Sequence, residues 1–313
     1  MDHHPLVSIN IPCYRQLDQA RRCLESIRAQ TLTDFEVTFL DDGASDEYRR
    51  YIESLGDARI RYRRNPERLG AMRNMFQAVG VGTGTYSLAF HEDDLLGRQY
   101  LATAAGILDA QPRCGFVAVE MREFDDEPSE AELALTFDPA AAISYANGAE
   151  FLRGIFRGVN PMFGSVLYRR AAIQELQPEL AEYATLADRP FLLRVLERWS
   201  GVVLTQPLTW YRRHGGADAR HHELAAPQIR NLLRVYRATL PTPLTDEDRR
   251  LFQFYTGYWL VQFYKLLTDD RRPSLGSFLF RAWREGLYDP RAQRGVGRPQ
   301  ILRAILAGGQ LPR

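Results

Sequence analysis

The sequence predicts an α/β fold, with a mostly parallel central sheet flanked by helices and a helical extension at the C-terminal end. Short apolar segments alternate with amphipathic segments over about the first 120 residues, a pattern typical of a sheet covered on both faces. Acidic residues directly follow two of the predicted strands. The alternation stops near residue 226, so we predict an α/β domain over residues 1–225 and a helical extension over residues 226–313.

The first part of the chain contains five predicted strands separated by helices. Strands are predicted where apolar residues form short runs, at residues 7–11, 35–40, 60–62, 86–90 and 116–121. Helices are predicted where apolar residues recur at spacings of three and four, at residues 17–27, 46–55, 69–79 and 101–108. In sheets of this kind, ligands bind outside the carboxyl ends of the strands.

The remaining elements are less regular. The acidic stretch over residues 124–142 is predicted to be a surface excursion. Further strands are predicted at residues 164–168, 202–204 and 208–211. Further helices are predicted at residues 147–156, at 170–176, from Asp188 onwards, and in the extension at 229–240, 251–267, 274–287 and 300–306.

The composition excludes several classes of protein. The net charge is +1, with 45% apolar and 25% charged residues, which is ordinary for a globular protein and gives no bulk attraction to nucleic acid. The 3 cysteines have no metal-ligand spacing, which favours a reducing compartment. The N-terminal residues lack a signal-peptide pattern, and no apolar run reaches the ~20 residues of a spanning helix. We therefore expect a cytoplasmic protein without a nucleic-acid partner.

The fourth predicted strand ends in three carboxylates, Glu92, Asp93 and Asp94. Adjacent acids repel one another unless a cation neutralises them. Hard oxygen ligands suit Mg²⁺ or Mn²⁺, which are often shared with substrate phosphates; the alternative is that an aspartate caps the following helix. The second strand also ends in acids, Asp41 and Asp42. Capping alone does not explain two acid clusters at one edge of a sheet, so we predict a nucleotide–metal site there.

Six short segments that contain or flank these acids follow one another in a fixed order along the chain. They are Val-Ser-Ile-Asn-Ile-Pro-Cys-Tyr at 7–14, Leu-Glu-Ser-Ile-Arg-Ala-Gln-Thr at 24–31 with Asp-Phe-Glu-Val at 34–37, Asp-Asp-Gly-Ala-Ser-Asp at 41–46, Glu-Asp-Asp at 92–94 and Tyr-Arg-Arg-His at 211–214. In this order and spacing they resemble the inverting family 2 glycosyltransferases of the GT-A fold. The resemblance covers about residues 5–218.

The resemblance implies a role for each residue at the predicted edge. Pro12 and Tyr14 would line the nucleobase pocket, and Asp42 would accept a hydrogen bond from the base. Asp93 would meet the ribose, and Asp94 would bind the metal that bridges the diphosphate. These roles suit the residues, since a carboxylate accepts from a pyrimidine N–H and a cation neutralises leaving-group charge. The alternative for Tyr14 is an ordinary half-buried aromatic residue. The alternative for Asp42 is a turn residue before Gly43.

His214 precedes two glycines and is therefore placed on a loop. The resemblance implies that it contacts the metal or the diphosphate, and imidazole suits Mn²⁺ beside carboxylates; a solvated loop histidine is the alternative. Arg73 is included in the predicted nucleotide site. Three further arginines are candidates for contacts with the nucleotide or its phosphates, namely Arg68, Arg212 and Arg213.

Asp188 is the candidate catalytic base. Inverting transfer is an in-line displacement that needs one carboxylate to take the proton of the acceptor hydroxyl. In the family this base lies at the start of a helix, often as Glu-Asp, and the match here is Asp188. Ala187 precedes it, so the Glu-Asp form is absent. The alternative is a helix N-cap, which the following Arg-Pro suits, and both roles are compatible.

The sequence thus predicts a divalent-metal-dependent transferase that moves a sugar, with inversion, from a nucleotide diphosphate to an acceptor hydroxyl. UDP is the favoured nucleotide, and the acceptor is a polysaccharide, a lipid-linked glycan or a small molecule. Nucleotidyl transfer and dinucleotide oxidoreduction are disfavoured, because no glycine-rich loop follows the first strand. A non-catalytic nucleotide-sugar-binding or scaffold protein of the same fold is the remaining alternative.

The predicted helix at 251–267 is apolar and aromatic on most sides. We expect it to pack on the catalytic domain or on a second subunit. The alternative is peripheral contact with the inner face of a membrane, which its aromatic residues and the arginines at 249–250 and 271–272 would suit.

Overall fold

A computed structural model describes residues 4–43, 45–213, 226–265 and 274–287. The chain divides into two compact units. The first unit comprises Met1–Asn147, Asn160–Pro178 and Phe191–Ala217, and the second comprises Gly148–Val159, Glu179–Pro190 and Asp218–Arg313. The division at residue 225 that the sequence suggests stays a prediction.

The first unit is built on a nine-stranded sheet with the order β3-β2-β1-β4-β8-β6-β9-β5, and β7 pairs with β9. Its strands are β1 (Val7–Cys13), β2 (Phe35–Asp41), β3 (Ile60–Arg64), β4 (Tyr86–Ala89), β5 (Leu95–Leu96), β6 (Cys114–Phe124), β7 (Ala142–Tyr145), β8 (Val166–Arg169) and β9 (Ser200–Arg212).

The α-helices of the described residues follow in chain order. They are α1 (Leu17–Arg28), α2 (Glu47–Ser54), α3 (Ala71–Gly80), α4 (Tyr100–Ala110), α5 (Glu130–Leu133), α6 (Gly148–Phe156), α7 (Arg170–Ile173), α8 (Leu180–Tyr183), α9 (Asp188–Val195), α10 (Ala226–Thr239), α11 (Asp246–Lys265) and α12 (Leu275–Arg284).

The first half of the sheet has the predicted parallel arrangement. β1 lies between β2 and β4, and Ile9 pairs with Val37 on one side and Leu88 on the other. All three side chains are fully buried, as expected for strands covered on both faces. Helix α1 turns the residues that its spacing selects, such as Leu24 and Ile27, into the same core. The predicted α/β class is confirmed.

The second half of the sheet is mixed. β6 runs parallel to β9, but β8 is antiparallel to both β4 and β6, and β5 and β7 are antiparallel to β9. The alternation of apolar residues does not distinguish these cases, because strand burial repeats every second residue in either direction.

The two short strands predicted at 202–204 and 208–211 are one long strand, β9. The acidic stretch predicted as irregular contains α5, which a capping box between Ser129 and Glu132 begins. The predicted helix at 300–306 lies outside the described residues.

The second unit is largely helical. Phe156 of α6 packs against Tyr236 of α10 and against Phe252 and Tyr255 of α11, with ring centroids 4.7–6.0 Å apart. Arg153 of α6 forms a bidentate ion pair with the fully buried Asp248 of α11, at 2.7 and 3.0 Å. None of the described helices is both long and apolar enough to cross a membrane.

A buried polar network joins the first two strands to the turn before β4. The Glu36 carboxylate accepts hydrogen bonds from Ser8 Oγ at 2.8 Å and from the Thr83 backbone N–H at 2.9 Å, and it pairs with Arg61 at 3.1 Å. Gly84 donates its N–H to Ser8 Oγ at 2.8 Å. A Cβ at Gly84 would lie 2.6 Å from the Ser8 backbone nitrogen, so the network requires glycine there.

We predict that Gly84→Ala lowers the free energy of unfolding by about 1–3 kcal/mol, because the new methyl overlaps rigid backbone. The matched control is Gly106→Ala on α4. That glycine is exposed and its Cβ would meet no atom within 4 Å, so this change should instead raise stability by about 0.5–1 kcal/mol. Urea denaturation followed by circular dichroism measures both, and equal effects would contradict the prediction.

A second prediction concerns pH. Burial acts to raise the pKa of Glu36, but the hydrogen bonds from Thr83 and Ser8 and the charge of Arg61 outweigh it, so the pKa is lowered. A carboxylate with a lowered pKa stabilises the fold above its unfolded pKa of about 4.3, and this contribution is lost as pH falls through the folded pKa. The stability difference between wild type and Glu36→Gln should therefore shrink below about pH 4.3. Denaturation at several pH values measures it, and a difference independent of pH would refute the assignment.

Candidate nucleotide and metal site

The carboxyl ends of β2, β1 and β4 lie side by side at one edge of the sheet. The backbone N–H of Asp42, just after β2, donates to the carbonyl of Cys13 at the end of β1, at 3.0 Å. Beyond β4, the Phe90 N–H donates to the Asn10 carbonyl of β1 at 2.9 Å. The parallel pairing therefore brings the two predicted acid clusters, 41–42 and 92–94, to the same edge.

Asp94 is the most enclosed acid of this edge. Its side chain is fully buried, with Oδ2 3.0 Å from Nδ1 of His91 and Oδ1 accepting the backbone N–H of Arg212 at 3.0 Å. Burial raises the pKa of Asp94, against the opposing effects of His91 and of the Arg212 N–H. The His91 ring lies against Gly164, where a Cβ would approach it to 3.1 Å. A glycine thus leaves the space that the imidazole occupies.

His91, Asp93 and Asp94 form a candidate cation site. One potential ligand atom from each residue lies within 4.8 Å of the others. Two carboxylates and an imidazole are a donor set that suits Mn²⁺ and, through the oxygens, Mg²⁺. His91 is not among the site residues predicted from the sequence, and its position three residues before Asp94 does not by itself show that the ring faces the carboxylate. The predicted ligand His214 lies outside the described residues.

Glu92 points away from this group. One carboxylate oxygen accepts the backbone N–H of Tyr14 at 2.7 Å, and the other accepts the hydroxyl of Tyr48. That hydroxyl accepts in turn from the N–H of Gln16 at 2.9 Å. Burial raises the pKa of Glu92 to about 8, with Tyr48 and Tyr14 opposing the shift. Glu92, predicted from the sequence to share the cation with its two neighbours, therefore holds instead the chain that leaves β1.

Asp42 is buried and organises the loop before α3. Its carboxylate accepts from Asn65 Nδ2 at 2.9 Å, from the Leu69 N–H at 2.8 Å and from the Gly70 N–H at 2.8 Å. A carboxylate offers about four acceptor positions, so the described part of the chain leaves one position on Oδ2 for a further donor. The neighbouring Asp41 accepts instead from Tyr62 at 2.7 Å.

One of the predicted arginines, Arg68, lies against the ring of Tyr14. The half-buried Tyr14 ring is flanked by the guanidinium groups of Arg15, 5.0 Å from its centroid, and of Arg68, at 4.4 Å. Arg15 has φ = 59°, an unusual conformation for a residue other than glycine. Pro12 is half-buried on β1, and Arg73 is exposed on α3.

Arg212 and Arg213 are engaged with acidic and carbonyl oxygens of the protein. The Arg212 side chain donates to the Asp93 carbonyl at 3.0 Å and to Glu127 at 2.7 Å. Arg213 pairs with Asp125 and lies 3.7 Å from Glu123. The contact between the Arg212 side chain and the Asp93 carbonyl joins the end of β9 to the backbone of the acid cluster. It thereby helps to hold the cation site in place.

Asp188 belongs to the second unit, at the first position of α9. It is half-buried, and its Oδ1 accepts the N–H of Arg189 at 2.8 Å. Burial raises the pKa of Asp188, and the positive charge of Arg189 opposes the shift. The contact is with the N–H of the next residue, and not with the second or third N–H that an N-cap side chain accepts, so both sequence-based roles of Asp188 stay predictions.

Comparison with known proteins defines the class. Residues 8–176 match the family model Glycosyl transferase family 2, which is more than half of the chain and includes both acid clusters. The chain belongs to the glycosyl transferase family 2, as the motifs predict.

Sequence relatives differ in the extent of the match. EpsH of Bacillus subtilis (strain 168) is 27% identical over 291 residues, covering 80% of this chain and 80% of EpsH. WcaA of Escherichia coli (strain K12) is 29% identical over 96 residues, 30% of this chain and 34% of WcaA. The chain thus spans about a third of the length of WcaA.

Two solved structures share the fold. The Staphylococcus aureus protein TarS, residues 1–349, in complex with UDP-GlcNAc superposes with a TM-score of 0.58 at 14% identity, covering 98% of this chain and 93% of that chain. The mannosyltransferase PcManGT of Pyrobaculum calidifontis, in complex with GDP-Man and Mn²⁺, gives 0.55 at 17% identity, covering 96% and 81%. The predicted GT-A type of fold is therefore confirmed.

We predict that Asp94→Asn and His91→Gln each weaken Mn²⁺ binding in the presence of UDP. The expected loss is about 10–100-fold in affinity, the size typical when a residue that surrounds a bound metal is replaced. Asp46→Asn is the matched control, because Asp46 lies at the start of α2 and pairs with Arg49 and Arg64 at the surface. Electron paramagnetic resonance of free Mn²⁺ measures the binding. Unchanged affinity in Asp94→Asn would reject the site.

Proposed function

We propose that this chain transfers a sugar from a nucleotide diphosphate to an acceptor hydroxyl, with inversion at the anomeric carbon and with a divalent cation. The observation that carries the proposal is the group of His91, Asp93 and Asp94 at the sheet edge where Asp42 and Tyr14 also lie, within a family 2 domain. Carboxylates of separate strands converging on one edge suit a cation that binds a diphosphate.

The donor is proposed to lie along this edge. The Asp42 carboxylate would accept from an N–H of the base through its remaining position, Tyr14 and Pro12 would line the base pocket, and Asp93 would accept from a ribose hydroxyl. Arg73 is proposed to face the nucleotide. UDP is the favoured nucleotide. TarS in complex with UDP-GlcNAc and PcManGT in complex with GDP-Man support a nucleotide-sugar donor for this fold. These two structures differ in their nucleotide, so UDP rather than GDP is our own proposal.

Mn²⁺ or Mg²⁺ would be held by Asp94 with His91, Asp93 and the predicted ligand His214, and would neutralise the charge that develops on the leaving diphosphate. The other work falls to the protein's own residues. Asp188 would take the proton of the acceptor hydroxyl as its oxygen bonds to the anomeric carbon. The bond from that carbon to the diphosphate breaks, and the nucleoside diphosphate leaves with the electron pair. The raised pKa of Asp188 makes its carboxylate a stronger base.

The acceptor is proposed to be a hydroxyl of a polysaccharide, a lipid-linked glycan or a small molecule. Membrane contact, dimerisation and a cytoplasmic location stay predictions. Helix α11 turns Phe252, Tyr255 and Leu260 inward and leaves Phe254 50% exposed. On α12, Phe280 and Trp283 are 55% and 46% exposed. We propose that these C-terminal helices would meet a membrane or a second subunit through such exposed rings.

A panel of UDP-, GDP- and dTDP-sugars tests the donor class. Release of nucleotide with one donor and Mn²⁺ is the expected result. Mn²⁺-dependent binding of UDP without turnover of any donor would favour the non-catalytic alternative. Absence of metal-dependent binding would indicate a scaffold.

We predict that Asp188→Asn lowers kcat for transfer by about 10²–10⁴-fold, the contribution expected of a general base, while the affinity for UDP and Mn²⁺ stays within about twofold. Asp246→Asn is the matched control, because Asp246 also begins a helix, α11, but is exposed. Nucleotide-release assays and isothermal titration calorimetry provide the two readouts. Turnover close to that of wild type would exclude Asp188 as the base.

A further inference from the structure

Arg189, the residue after the proposed base, is held by two tyrosines from the C-terminal helices. Its Nη1 donates to the hydroxyl of Tyr255 on α11 at 2.5 Å and lies 3.4 Å from the hydroxyl of Tyr236 on α10. Both tyrosines are buried. The guanidinium is therefore fixed by groups about 47 and 66 residues further along the chain.

The tyrosine hydroxyls are themselves held in place by packing. The Tyr236 and Tyr255 ring centroids are 6.0 Å apart, and Phe156 lies 6.0 Å from the first and 4.7 Å from the second. Trp259 also packs against Tyr255, with ring centroids 5.9 Å apart. Close-packed rings of this kind have little freedom to move, so the two hydroxyls form a rigid seat for the guanidinium.

The seat acts on the proposed base through a short path. The Arg189 N–H donates to Asp188 Oδ1 at 2.8 Å, so the backbone of Arg189 and the carboxylate of Asp188 move together. Misplacing a catalytic group by about 1 Å can reduce a rate by about 100-fold. Anchoring the Arg189 side chain, beside Asp188 at the start of α9, limits such displacement.

We propose that Tyr236 and Tyr255 are positioning residues for transfer: by seating the Arg189 guanidinium, they fix the start of α9 and the direction of the Asp188 carboxylate. The inference rests on the proposed role of Asp188 as the base. Its consequence is that α10 and α11, which lie in the predicted helical extension, take part in the catalytic machinery.

The seat also sets the electrostatic surroundings of the base. Among the described residues, Arg189 supplies the positive charge that faces Asp188, and the tyrosines that face Arg189 are kept neutral because burial raises the pKa of both. If the guanidinium loses its seat and moves away, the pKa of Asp188 rises further. A base acts only when ionised, so activity would then be lost at a higher pH on the acidic side of the profile.

The test uses Tyr236→Phe, Tyr255→Phe and the double variant in the full chain, with donor hydrolysis or transfer as the assay. The double variant should lower kcat by about 10–100-fold, leave the donor KM within about twofold and move the acidic limb of the kcat/KM profile to higher pH. Tyr100→Phe is the matched control. It removes a buried hydroxyl that donates to the Ser165 carbonyl at 3.1 Å in the first unit, so it should leave kcat and the profile unchanged.

Arg189→Lys provides a second measurement if the tyrosine variants fold poorly. Lysine keeps the charge but loses the planar fork, so kcat should fall by about 10–100-fold while the acidic limb stays near its wild-type position. Wild-type kcat in a folded Arg189→Lys variant would overturn the inference. Wild-type kcat and pH profile in a folded double variant would overturn the inference and leave a structural role for the tyrosines. Wild-type turnover in Asp188→Asn would instead overturn the proposed base, so the two failures are distinguishable.

Discussion

The parallel pairing of β1 with β2 and β4 is the constraint on which the candidate site depends. Parallel strands in register end at the same edge, and here Asp42 and Asp94 follow the two strands that flank β1, although they are 52 positions apart in the sequence. Burying such acids is unfavourable unless each finds donors or a cation. The loop before α3, the N–H of Arg212 and the ring of His91 supply donors or partners to these two carboxylates.

The three consecutive acids after β4 illustrate how one edge divides structural from chemical work. Glu92 uses both oxygens on Tyr14 and Tyr48 and thereby fixes the chain beyond β1. Asp93 and Asp94 lie with His91 in the candidate cation site. With Glu92 bound to the two tyrosines, two carboxylates rather than three lie in the candidate cation site, which reduces the repulsion between them. A run of acids in a sequence thus does not by itself indicate how many of them bind metal.

Much of the fold was predictable because local rules govern it. The spacing of Leu24 and Ile27 selected the buried face of α1, and the alternation of strands and helices gave the parallel half of the sheet. The antiparallel placement of β8 was not predictable, because burial repeats every second residue whichever way a strand runs. In the site, the strand-end position of Asp42 and Asp94 was predictable, but the role of His91 was not, because it depends on the space left by Gly164, 73 positions away.

The sequence by itself determined the class of fold, the family motifs and the edge where the acids gather, since each of these follows from periodicity or from short ordered patterns. Only the tertiary structure decided which partner each acid takes, that Glu92 faces the chain after β1, and that Tyr236 and Tyr255 reach the residue beside Asp188. The physical reason is that such contacts join residues tens of positions apart. Their geometry is fixed by packing, and no local pattern of residues encodes it.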